Sequence, residues 1–177
     1  MRSFRAARPD DVRPRRGWID AHLGSRDVAR VIYGSIVGLA LVAALEDHPP
    51  TAFATASALL GTALAVGLAE AYSEFVGTEA RTRAPVDRRQ VRELLAESAA
   101  VMFGAGFPAL FFLLAAVGAL ELELAFTLAK WTGLGLIGAY GFFAARLSGA
   151  GLGHALVHAA VLGAVGGALI ALKAFVH

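Results

Sequence analysis

The chain has 177 residues, of which 57% are hydrophobic and 17% are charged, and its mean hydropathy is +0.62. Soluble domains average about 45–50% apolar and about 25% charged residues, so a soluble globule of this size could not bury so much apolar surface. The same composition excludes a disordered chain, and the lack of cysteine excludes a disulfide framework. The composition therefore predicts an all-α integral membrane protein, since helices satisfy their own backbone groups in lipid.

Residues 1–27 are a polar, basic N-terminal arm that precedes the first apolar run. Pro9 and Pro14 discourage a long helix before Gly17. The stretch 18–23 could form a short interfacial helix with Trp18 at the level of the lipid headgroups. A disordered tail is the alternative, and the residues do not decide between the two.

Residues 28–177 contain five apolar runs, which predict a bundle of five transmembrane helices. The spans are expected at about 28–45, 51–76, 92–120, 124–145 and 154–176. Pro85 and Asp87 mark the start of the helix that leads into the third span. Pro108 lies inside that span, where we expect a kink.

The arginines predict the orientation of the bundle. The arm, the connector 77–92 and Arg146 carry positive charge, whereas the loops at 46–50 and 121–123 hold no Lys or Arg. By the positive-inside rule the N-terminus is cytoplasmic and, after five spans, the C-terminus is outside. We expect a multi-pass protein of a bacterial inner membrane that binds no nucleic acid. The arginines expected at the lipid interface are Arg88, Arg89, Arg92 and Arg146.

Three pairs of ionisable residues are spaced i,i+4 near span ends that the predicted topology places on the cytoplasmic side. They are Glu70 with Glu74, Glu93 with Glu97, and His154 with His158. Each pair shares one helix face, and two neighbouring carboxylates repel unless a proton or cation lies between them. Carboxylate and imidazole ligands together suit Fe²⁺, Mn²⁺ or Zn²⁺. The pairs predict a metal entry site; solvated side chains that pair with the connector arginines are the alternative.

Small residues recur at a spacing that lets helix backbones approach closely. The motifs are Gly34-x-x-x-Gly38, Gly149-x-x-x-Gly153 and Gly163-x-x-x-Gly167. They fit either packing within one chain or the seam of a homodimer.

Lys130 is expected to extend its ammonium group to the outer interface beside Trp131. No nucleophile–base pair or nucleotide-binding loop is visible, so we expect no enzymatic activity.

Several segments resemble the vacuolar iron transporter family, which is related to the yeast calcium-sensitive cross-complementer transporters. Ser73-Glu74-Phe75-Val76-Gly77 resembles the G-E-Y-V-S ending of the family's second span. The run from Pro108, PALFFLL, resembles its proline-bearing third span, and the run 138–149, ending in ARLSG, resembles the end of its fourth. The similarity covers the chain from about Arg26 to its end.

The resemblance implies five spans, a dimer, and export of Fe²⁺ or Mn²⁺ from the cytoplasm in exchange for protons. The metal would be cargo, with no permanently bound cofactor, and Glu74 would match the family's glutamate near the metal path. The other function that the sequence allows is a membrane scaffold that kept the fold without transport and binds lipid or a partner through its basic segments.

Overall fold

The structure is a computed structural model that describes residues 25–176, and this part of the chain is helical without any strand. The helices are α1 (Ser25–Leu45), α2 (Ala52–Thr82), α3 (Arg88–Gly106), α4 (Ala109–Ala116), α5 (Leu122–Leu147) and α6 (Leu152–Val176). Residues 25–27, assigned to the arm from the sequence, belong to α1. The rest of the arm, including the interfacial helix expected at 18–23, lies outside the described residues.

The ends of the helices follow local chemistry. Asp87 caps α3: its side chain accepts a hydrogen bond from the backbone N–H of Gln90, whose side chain accepts one from the backbone N–H of Asp87. This reciprocal capping box confirms the predicted start. Helix α2 continues six residues beyond the predicted end at 76, to Thr82, and ends where Arg83 adopts a left-handed conformation with φ 52°.

The third predicted span, 92–120, is not one helix. It consists of α3 and α4, whose axes differ by 55° across the break at Phe107 and Pro108. Proline has no backbone N–H and clashes with the preceding turn, so the break confirms the expected kink. The second segment ends at Ala116, before Gly118, which has a φ of 77°.

Successive segments of the chain run in alternating directions, when α3 and α4 are counted as one segment. Gly67 of α2 faces Met102 of α3, and Gly106 faces Ala63, so these two helices are antiparallel. Helix α1 packs against α3 and α5, and more lightly against α2 and α6, so it is the centre of the bundle. The pair Lys130–Glu46 joins α5 to the residue just after α1. The sequence did not predict this partner of Lys130, and the extension of Lys130 to the interface stays a prediction.

Among residues 25–176, two helices are long and apolar enough to cross a membrane. They are Asp27–Leu45 and Ala52–Thr82, and the bent pair α3–α4 makes a third if it counts as one span. The described apolar part of α6, Leu152–Ala168, is shorter. Large apolar side chains on α2 are exposed, including Phe53, Leu60, Leu64, Leu68, Tyr72 and Val76. An outward apolar face of this kind suits contact with lipid.

A cluster of buried apolar side chains lies at one end of the bundle. Phe112 of α4 and Phe126 of α5 are buried, with ring centroids 4.7 Å apart in an edge-to-face arrangement. Val42, near the end of α1, and Leu59, near the start of α2, pack in the same cluster. Because the helices alternate in direction, the start of α1 and the end of α2 lie at the opposite end, where the charged residues meet.

Candidate functional site

A buried arginine collects three of the six predicted metal-ligating residues. Arg30 lies in the second turn of α1 with its side chain 10% exposed. Its Nε donates a hydrogen bond to Glu70 Oε1 at 3.3 Å. Its Nη2 lies 2.7 Å from Glu97 Oε2 and 3.8 Å from Glu74 Oε1. We call these four residues the Arg30 cluster; it joins α1, α2 and α3.

Close helix packing places Arg30 against Glu97. Arg30, Gly34 and Gly38 are spaced by four residues and therefore share one face of α1. A Cβ on Gly34 would overlap the carbonyl oxygen of Val101, and one on Gly38 would lie 2.6 Å from that of Ala105.

The two helices are in parallel register. Arg30 faces Glu97, Gly34 faces Val101 and Gly38 faces Ala105, so each step of four residues on α1 matches a step of four on α3. The Gly34 motif therefore serves packing within the chain. By contrast, no described atom lies within 4 Å of a Cβ built on Gly163 or Gly167.

The spacing of Glu70 and Glu74 brings both carboxylates to Arg30. They lie one turn apart on α2 and face α1 together. Glu74 also reaches outward, where its Oε2 accepts a hydrogen bond from Arg81 at 3.3 Å. Arg81 is 67% exposed, so this second pair is largely solvated and adds little stability.

The Arg30 cluster has unbalanced charge and one unpaired hydrogen-bond donor. Three carboxylates face one buried guanidinium and one exposed guanidinium. Arg30 Nη1 is buried and has no hydrogen-bond partner among residues 25–176. An unsatisfied buried donor is costly, so the cluster has an unused hydrogen-bonding direction.

The other predicted site residues lie elsewhere. Glu93 pairs with Arg89 one turn earlier on the exposed side of α3, at 3.1 Å. His154 and His158 lie next to each other on α6, with ring centroids 5.4 Å apart. Together with the turn 148–151 they line an open cavity of about 590 Å³.

Among the described residues the three pairs therefore do not meet at one point. Within residues 25–176 no group of three or more His, Asp or Glu side chains is arranged to hold a metal ion. The physical reason is Arg30: the carboxylates from α2 and α3 are organised around a guanidinium.

The four predicted interface arginines have different surroundings. Arg88, Arg89 and Arg92 are exposed in the first turns of α3. Arg146 is also exposed, but its Nη1 donates to the backbone oxygen of Ala150 at 3.0 Å and so closes the turn between α5 and α6. Arg146 thus has a structural role that the sequence did not indicate.

Arg30 was missed as a site residue because it stands at the border of the basic arm. Its position in the sequence resembles that of the arginines before it. The signal that could have identified it is the spacing Arg30–Gly34–Gly38, which puts the guanidinium on the tightest packing face of α1.

Comparison of the chain with protein-family models, with curated proteins and with solved structures finds no match. The resemblance to the iron transporters therefore remains a prediction from the sequence.

Proposed function

We propose that this chain is a five-span protein of a bacterial inner membrane, with its N-terminus in the cytoplasm and its C-terminus outside. The alternating helix directions support this topology, with α3 and α4 together making one broken span. The arginine distribution supports the orientation. In this arrangement the Arg30 cluster lies near the cytoplasmic mouth of the bundle.

We propose further that the protein exports a divalent metal ion, Fe²⁺ or Mn²⁺, in exchange for protons, as the resemblance implies. The observation that carries this proposal is the convergence of Glu70, Glu74 and Glu97 on one buried cation. Ionisable groups are expensive near a membrane interior and mark ion pathways when they persist there.

Arg30 acts in this proposal as the resident counter-cation. An entering metal ion takes carboxylate oxygens that Arg30 otherwise occupies, and protonation of those oxygens releases the ion, because metal-bound carboxylates must be deprotonated. Glu93, His154 and His158 lie outside the cluster and recruit the ion to the mouth.

The assembly is a homodimer in which the open Gly163–Gly167 face of α6 supplies the seam. Light scattering corrected for detergent should give the mass of two chains; the mass of one chain would contradict the dimer.

The direct test is Mn²⁺ flux into proteoliposomes with a metal-sensitive dye inside. Glu74→Gln keeps the shape of the side chain and removes its charge, and it should lower the flux about tenfold or more, the usual cost of removing a metal-orienting group. Glu79→Gln is the matched control on the same helix and should leave the flux unchanged. Equal flux in wild type and Glu74→Gln would remove the site assignment.

A second candidate is a non-transporting membrane protein, and one observation favours it. Arg30 already occupies oxygens of these carboxylates, and the described residues hold no ready metal group. The exposed Arg88, Arg89 and Arg92 would then bind anionic lipid, at about 1 kcal/mol for each arginine near the surface. In the same proteoliposomes this candidate predicts no Mn²⁺ flux even for the wild type.

A further inference from the structure

A second cleft lies beside the Arg30 cluster. Helices α3 and α5 both pack on α1 but make little contact with each other, so α1 forms the floor of a groove between them. The groove contains a cavity of about 370 Å³ at its charged end. We call it the α3–α5 cleft. Its lining includes Asp27 and Val31 of α1, Glu97, Ala100 and Phe103 of α3, and Tyr140 of α5.

The lining combines negative charge with apolar walls. Asp27 and Glu97 contribute two carboxylates, and Tyr140 contributes a phenol from the opposite wall. Val31 is almost fully buried in the floor, and Phe103 is 48% exposed at the rim. A cavity of about 300–1,000 Å³ with apolar walls and a few polar groups is typical of small-molecule sites.

The charge around the cleft favours a cation. Glu97 meets Arg30 through Oε2, and Asp27 has no ion-pair partner in the part of the chain that the structure describes. Among the described residues, the carboxylates of Glu70, Glu74 and Glu97 share the two guanidiniums of Arg30 and Arg81, and Asp27 adds a fourth carboxylate nearby. The excess negative charge opens toward the cleft through Glu97.

The same lining argues against an inorganic ion as the occupant. A metal site is usually built from three or more ligand residues at about 2.0–2.6 Å, and the described lining of the cleft adds no third His, Asp or Glu to Asp27 and Glu97. An inorganic ion would also leave the walls formed by Val31, Ala100 and Phe103 unused. Aromatic rings stabilise an organic ammonium group by cation–π attraction.

We propose that the α3–α5 cleft binds an organic ammonium group that carries an apolar substituent. The ammonium group lies between Asp27 and Glu97 and donates hydrogen bonds to their carboxylates. The ring of Phe103 covers the ammonium group at the rim, and the substituent lies along Val31 toward Tyr140 on the other wall. The inference goes beyond the proposed metal transport and does not rest on it, because Asp27, Phe103 and Tyr140 have no part in that mechanism.

The test is calorimetric titration of the full chain in maltoside micelles, which carry neither charge nor ammonium groups. The probe is phenethylammonium, and 2-phenylethanol is its uncharged analogue; titrations into empty micelles are subtracted. We expect saturable binding of the amine at least about tenfold tighter than of the alcohol, since a hydrogen bond to a charged group contributes about 1.5–3 kcal/mol. Equal affinity for the two compounds overturns the proposal.

Variants locate the site. Asp27→Asn should weaken amine binding about tenfold, and Phe103→Leu about threefold through loss of the cation–π contact. Glu79→Gln is the matched control, because it removes one carboxylate charge from α2 outside the lining of the cleft. Unchanged binding by Asp27→Asn, with melting temperature preserved, overturns the assignment; if that variant fails to fold, unchanged binding by Phe103→Leu does so.

A final arm identifies the source of the ammonium group. Phosphatidylethanolamine added to the micelles should compete with phenethylammonium if the occupant is a lipid headgroup that enters from the bilayer. Absence of competition, with amine binding intact, identifies a free amine as the ligand. Competition that persists in Asp27→Asn contradicts the cleft as the lipid's binding site.

Discussion

Arg30 determines how the carboxylates of the site are arranged. A guanidinium can meet several carboxylates in fixed geometry, and Arg30 does so with Glu70 and Glu97 while its remaining Nη1 stays buried. Such a pair stabilises the protein only while both partners are present. The arginine therefore holds three helices together and orients the carboxylates.

Removing the guanidinium tests this role. Arg30→Met should lower the free energy of unfolding by about 3 kcal/mol, the lower end for breaking a buried pair, because the carboxylates are about one-third exposed. The variant leaves Glu70 and Glu97 without a cation, whereas Glu74 keeps Arg81. The measurement is unfolding in detergent, followed by circular dichroism.

Arg92→Met is the matched control for that change. It removes an exposed guanidinium from α3 and should shift the free energy of unfolding by no more than about 0.5 kcal/mol. If Arg30→Met and Arg92→Met are equally stable, Arg30 does not hold the bundle together.

The sequence predicted which carboxylates belong to the site, but not that Arg30 binds them. The spacing of Glu70 and Glu74 correctly put both on one helix face, next to an apolar run. That Glu97 joins them while Glu93 does not depends on the register between α1 and α3. Register arises from the packing of Gly34 and Gly38, a tertiary property that no local pattern contains.

At the scale of the helices, close backbone contact sets that register. A Cβ on Gly34 would overlap the backbone of α3, whereas Gly135 on α5 faces open space. Gly34→Ala should therefore lower the free energy of unfolding by about 1–3 kcal/mol, the usual cost of overpacking. It should also loosen the Arg30–Glu97 pair.

Gly135→Ala provides the comparison on another helix. Alanine restricts the unfolded chain more than glycine does, so the variant should be more stable by about 0.5–1 kcal/mol. Both values come from the same denaturation assay. A Gly34→Ala protein as stable as wild type would show that α1 and α3 are not packed at this distance.

The helices themselves were largely predictable because apolar runs between turn signals set their positions. Pro108 correctly marked a break, and Asp87 a start. The end of α2 was placed too early, since Ser73 and Thr78 look like a polar boundary while the chain remains helical to Thr82. Arg81 and Glu74, seven residues apart, stay paired on that last stretch.

At the scale of the whole molecule, the two ends of the bundle differ in the chemistry of their side chains. Phe112 and Phe126 pack at one end, and the Arg30 cluster and the α3–α5 cleft lie at the other. Composition predicted the helical membrane class, and the alternating helix directions agree with it. In the part of the chain that the structure describes, hydropathy alone accounts for two spans, or three with the bent pair. Lys130 and several glycines lower the mean hydropathy of α5.

The central claim is that the Arg30 cluster opens at the cytoplasmic mouth of a five-span bundle, and cysteine labelling tests it directly. The chain has no cysteine, so single substitutions report without background. In intact spheroplasts a membrane-impermeant maleimide should label His48→Cys and Glu121→Cys, which lie in the loops predicted to be outside. It should label Ala84→Cys and Gly151→Cys only after the membrane is permeabilised. Labelling of Ala84→Cys or Gly151→Cys in intact spheroplasts, or of all four positions alike, would contradict the account.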